Sequence, residues 1–142
     1  MELNMNRPLL CLDLEGTLIS NAVSQIPRPG LYEFLSEVEK ICDLVIYTSV
    51  CKERVVLIQS LLVGEGSVPE WFSDIEVIVS TGNLKPKSCS GRGLAYLLDD
   101  QQSVIVSGEE GWWIPIPEYQ PPYSETDQAL KAALNTIYKS VI

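Results

Sequence analysis

The chain has 142 residues, 10 lysines and arginines against 19 aspartates and glutamates for a formal net charge of −9, and no histidine. Its length and 46% apolar composition predict one globular domain over 1–142 rather than a disordered chain. The charge disfavours nucleic acid and anionic membranes as partners, and the missing histidine removes Ser-His-Asp and Cys-His nucleophilic machinery and every histidine metal site.

The N-terminus, MELNMNRPLLCLDLEG, has no cationic stretch ahead of its apolar run, which Asp13 interrupts, so neither signal peptide nor membrane anchor is expected. Pro8 to Asp13 is a short, nearly continuous apolar run, as for a strand buried on both faces. After a turn-rich segment ending at Pro27, Pro29 and Gly30, the apolar spacing of Leu31, Phe34, Leu35, Val38 and Ile41 predicts a helix. Asp43 to Tyr47 reads as a second strand, Val55 to about Gly64 as a helix, and 74–79 as a third strand. Gly91 to Leu98 is predicted as a short helix, Ser103 to Val106 as a fourth strand, and Trp112 to Ile116 as an edge strand because of its prolines. A final helix runs from a capping box at Ser124 and Asp127 through Leu130, Leu134 and Val141. Cys11, Cys42, Cys51 and Cys89 form no CxxC pair and are expected as reduced thiols in a cytoplasmic protein.

Alternating strands and helices predict an α/β fold with a mainly parallel sheet, which places ligands at the carboxyl ends of its strands. After the first strand come Asp13 and Glu15 with Gly16 between strand and loop, either a nucleophile beside an acid–base carboxylate or an acidic loop. After the second come Thr48 and Ser49, hydroxyls suited to phosphate oxygens or to a helix N-cap. Lys85 and Lys87, two of only ten basic residues, form either an anion clamp or a solvated pair. After the fourth, Glu109 and Glu110 are candidate Mg2+ ligands or plain loop acids.

In combination, CLDLEGTLIS, RPGLYEFLSEVEKICDLVIYTS and SVIVSGEE followed by WIPIPEY resemble the haloacid dehalogenase superfamily, within it the capless NLI-interacting-factor-like branch of small CTD phosphatases. The resemblance implies a three-layer Rossmann-like fold with helices on both faces of the sheet and no cap domain. It implies Asp13 as the nucleophile that forms an aspartyl-phosphate and Glu15, where the family usually has Asp, as general acid and base. Thr48 and Lys85, with Gly16, Ser49 and Lys87 nearby, would bind substrate. Mg2+ would sit on Asp13, the backbone carbonyl of Glu15, and Glu109.

Where the family has Asp-Asp or Asp-Asn after the fourth strand, the expected alignment places Ser107-Gly108. That departure motivates an alternative reading, a catalytically impaired member kept as a binding or regulatory module. The 35 residues from Asp13 to Thr48 and the 37 from Thr48 to Lys85 are filled by one helix and one strand each, leaving no room for a cap. An open site suits a phosphorylated protein or another phosphomonoester, or a protein partner that supplies the cover.

Overall fold

The computed structural model describes residues 7–141. The first six residues, part of the segment read for a signal peptide, lie outside them. No helix among the described residues is long and apolar enough to cross a membrane.

Five parallel strands form one sheet in the order β3-β2-β1-β4-β5. They are β1 (Leu9–Leu12), β2 (Asp43–Thr48), β3 (Val77–Val79), β4 (Ala95–Asp99) and β5 (Trp113–Pro115). The α-helices are α1 (Leu31–Val38), α2 (Lys52–Gly64) and α3 (Ala129–Val141). All four residues of β1 are buried, as a central strand paired on both edges requires.

Chain order explains how the two faces are covered. From β1 the chain moves outward through α1 to β2 and through α2 to β3, then returns to the other side of β1 for β4 and β5. Right-handed crossovers put connections running in opposite directions on opposite faces. Accordingly Leu10, Leu12, Ile46 and Leu98 pack in one cluster with Phe34, Ile58, Leu130 and Ile137 of the three α-helices. Leu9, Cys11, Tyr47 and Leu97 pack on the opposite face against Ile105 and Trp112. That second face carries short 3-10 turns at Lys87–Ser90, Gln102–Val104 and Glu110–Trp112 in place of long helices. Between Thr48 and Lys85 the chain holds only α2, a 3-10 turn at Glu70–Asp74 and β3.

Two predicted elements are corrected. The 91–98 segment is not a helix: its second half is β4, which pairs with β1. Ser103 to Val106 is not the fourth strand but a 3-10 turn and its exit, which drops Ile105 onto the sheet. Helix ends also shift. The cap of α2 is Cys51, one turn-length later than Thr48, whose Oγ1 instead accepts from Val50 N at 3.1 Å. At α3, Asp127 Oδ1 accepts from Ala129 N at 3.0 Å while Ser124 bonds within its own turn.

Candidate active site

The sheet reverses its strand order between β1 and β4, and the crevice at the carboxyl ends of such a pair is where this architecture binds ligands. A cavity of about 470 Å³ lies there, lined by Asp13, Glu15, Thr48, Ser49, Lys85, Asp99 and Asp100, with Ser80, Asn83, Gln101 and Ser103. Asp13 is the first residue beyond β1, and its N–H donates to Leu98 O of β4 at 3.0 Å.

Lys85 is buried at 4% exposure and donates to Asp13 Oδ1 at 2.8 Å and to Asp99 Oδ2 at 2.6 Å. Burial pushes its ammonium down, but the two carboxylates outweigh that and hold it above the usual lysine range. Thr17 Oγ1 donates to Asp13 Oδ2 at 2.7 Å, and its oxygen lies 3.2 Å from Asp100 Oδ1. Burial pushes Asp13 up to about 7, with Lys85 pulling against it and the neighbouring Asp100 adding to it. Burial also raises Asp99, to which the charge of Asp13 adds, and it raises Asp100. When ionised, the three carboxylates carry more negative charge than one lysine balances.

Ligand oxygens of Asp13, Asp99 and Asp100 lie within 4.8 Å of one another, the one such acidic cluster among the described residues. A compact set of carboxylate oxygens with excess negative charge fits a hard divalent cation such as Mg2+. Asp99 spends Oδ2 on Lys85 and Oδ1 on Gln101 N, and Asp13 spends Oδ1 on Lys85 and Oδ2 on Thr17, which leaves Asp100 the least committed of the three. Trp113 Nε1 donates to Asp99 O at 3.0 Å and fixes the end of β4 from the side.

Gly16 packs against this cluster with φ 75°, and a Cβ on it would lie 2.7 Å from Asp100 Oδ2. Glycine meets both demands, the left-handed backbone and the close approach to Asp100, without strain. Its carbonyl accepts from Tyr119 N at 2.7 Å, and the buried Arg28 guanidinium reaches the carbonyls of Gly16 and Thr17, Pro117 O and the Asp127 carboxylate.

The structure thus brings together Asp13, Glu15, Thr48, Ser49 and Lys85, with Gly16 behind them. Lys87 does not line the cavity, and its backbone N–H donates to Glu109 Oε1 at 3.0 Å. Glu109 therefore does not join the acidic cluster expected to hold metal, and Glu110 folds back onto Gly108 N. The cause is the position of the fourth strand: the acidic pair that ends it is Asp99-Asp100, not residues near Ser107-Gly108. With that pair in place, the observation behind the impaired-module alternative falls away. Asp99, Asp100 and Thr17 were missed, although LAYLLDD carries the signal of an apolar run ending in two aspartates.

A parallel sheet with a buried aspartate, lysine and threonine at the carboxyl ends of its strands around a switch point defines a haloacid dehalogenase-like α/β protein. The chain belongs to the NLI interacting factor-like phosphatase family, whose model matches residues 8–141. The same fold occurs in the fission yeast RNA polymerase II CTD phosphatase Fcp1, in a structure with beryllium fluoride bound, with TM-score 0.60 and 14% identity over 96% of this chain and 51% of that one. This chain spans about half the length of that protein chain. No curated protein sequence matches it.

Proposed function

We propose that this chain is a capless, Mg2+-dependent phosphatase that hydrolyses a phosphate monoester on a protein through an aspartyl-phosphate. The observation that carries this reading is Lys85 bridging Asp13 and Asp99 beside Asp100 at the mouth of an uncapped cavity.

In this reading a phosphoryl group enters with its oxygens toward Thr48 Oγ1 and Lys85 Nζ. Asp13, Asp99 and Asp100 would hold a Mg2+ ion, which would supply the charge neutralisation an anionic carboxylate needs to approach an anionic phosphate. An Asp13 oxygen attacks phosphorus as the bond to the leaving oxygen breaks, and Glu15 gives that oxygen a proton. Glu15 then takes a proton from water as the water oxygen attacks phosphorus, which returns Asp13 and releases inorganic phosphate. Lys85 keeps Asp13 oriented throughout, and its charge opposes the proton that burial favours on Asp13.

The substrate class follows from the open site and from the family. Among the described residues no inserted domain closes over the cavity, and its rim residues Ser49, Asn83, Gln101 and Ser103 are exposed. An extended phosphorylated segment can lie across such a rim. The test is turnover of a phosphoserine peptide with and without Mg2+. Release of phosphate that chelation abolishes supports the reading, and absence of release at saturating Mg2+ refutes it.

A further inference from the structure

We propose that the backbone N–H of Ala22 positions Glu15, holding one carboxylate oxygen so that the other is presented to the leaving group. This rests on the reading of Glu15 as the acid–base residue.

Ala22 N donates to Glu15 Oε2 at 2.6 Å, and Glu15 itself lines the cavity, half-buried. The amide is presented by a turn whose own hydrogen bonds do not use the Glu15 side chain. Asn21 Oδ1 accepts from Val23 N at 2.9 Å and from Ser24 N at 2.8 Å, and Gln25 N closes onto Asn21 O at 3.0 Å. Asn21 is thus the cap of a single helical turn whose first residue is Ala22. The N–H at that position has no partner inside the turn, and the cap serves the next two. Glu15 takes the one left over.

The base of the turn is tied separately. Ser20 N donates to Ile26 O at 2.9 Å, Ile26 N donates to Ser20 Oγ at 2.8 Å, and Ile19 bridges to both Glu15 and Pro27. The loop therefore keeps its shape without the glutamate, and the glutamate is held by the loop. An aspartate at this position would stop about 1.5 Å short, one carbon–carbon bond. The longer side chain and the waiting amide belong together.

The chemical consequence is specific. With Oε2 held, Oε1 gives its proton to the leaving oxygen as the phosphorus–oxygen bond to it breaks and the Asp13–phosphorus bond forms. A carboxyl group free to rotate would make that transfer from many positions, few of them productive. A weakly basic leaving group needs no such proton, so loss of the amide should be felt only where protonation matters.

Proline suits the first position of a helical turn and has no N–H, so Ala22→Pro deletes the donor and keeps the turn. The measurement is kcat and KM in Mg2+ on a phosphoserine peptide and on p-nitrophenyl phosphate. Ala22→Pro should lower kcat on the peptide about tenfold and on the aryl ester less than about twofold, with KM unchanged. Ala22→Gly keeps the donor and should keep the parent's ratio of the two rates. If Ala22→Pro does not fold, Asn21→Ala, which loosens the same turn, should show the same selective loss. An equal loss on both substrates, or none on the peptide, overturns this proposal alone. A parent inactive on both overturns the phosphatase reading and this proposal with it.

Discussion

Lys85 Nζ lies 2.6 Å from Asp99 Oδ2, so the buried lysine that contacts Asp13 is tethered to the residue that ends β4. The pairing locks the strand on one side of the switch point to the first loop on the other. Replacing the lysine by an apolar side chain of similar length leaves two buried carboxylates facing each other without a counter-charge. We expect Lys85→Met to cost about 3–5 kcal/mol in urea unfolding at pH 8. The cost should shrink at pH 5.5, because protonation of Asp13, whose carboxyl burial holds at about 7, removes part of the unpaired charge. A loss of the same size at both pH values would contradict the pairing.

The acidic cluster makes a prediction about divalent cations that separates it from the Glu109 loop. Calorimetric titration of Mg2+ should find a site that Asp13→Ala and Asp100→Ala each weaken by about tenfold or more. Glu109→Gln should bind as the parent does, since that carboxylate is occupied with Lys87 N. Mg2+ binding lost in Glu109→Gln but kept in Asp100→Ala would return the metal to the loop.

Acid should compete with the cation. With burial holding Asp13 at about 7, the metal-free protein carries a proton there over part of the neutral range that a cation must displace. Below about pH 7 the proton is bound and cation affinity falls; above it the carboxylate is free and affinity levels off. Between pH 8 and pH 6 the Mg2+ dissociation constant should rise by about tenfold, with proton release measurable at the lower pH. Equal affinity at the two values would exclude a raised Asp13.

A second pH effect concerns stability and lies behind the site. Burial pushes Asp127 up, but the Arg28 guanidinium and the Ala129 N–H outweigh it and hold the carboxyl below its ordinary range. A carboxyl depressed in the folded state stabilises above its unfolded value of about 3.9, and that contribution is lost as pH falls through the folded value. Asp127→Asn should therefore be less stable than the parent by about 2 kcal/mol at pH 7. The gap should narrow as pH falls below about 4 and the carboxyl protonates. A gap that does not narrow with falling pH would show that the asparagine acts through something other than charge.

Much of this arrangement was legible in the residues, for reasons that differ by element. β1 and β2 are short apolar runs that end in chemistry-bearing residues, and both strand ends were placed within a residue or two. Asp13 and Thr48 follow from that placement, and Lys85 from the scarcity of basic residues in the segment after the third strand. β4 was not legible, because LAYLLDD and SVIV are both brief apolar runs, and periodicity cannot tell a strand from a buried turn at that length. What decides is pairing: Ala95 to Leu98 aligns with all four residues of β1, a contact invisible in local spacing. The error moved the fourth strand by several residues and hid Asp99 and Asp100. That 3-10 turns rather than long helices cover the second face was also beyond reach, since the cover depends on crossover direction rather than on any one segment.

The most direct test of the central claim is the rate of Mg2+-dependent hydrolysis of p-nitrophenyl phosphate by the parent and by Asp13→Asn. The parent should turn over and Asp13→Asn should fall by about a thousandfold or more, because the amide cannot form the phosphoryl intermediate. Full activity in Asp13→Asn would contradict that claim.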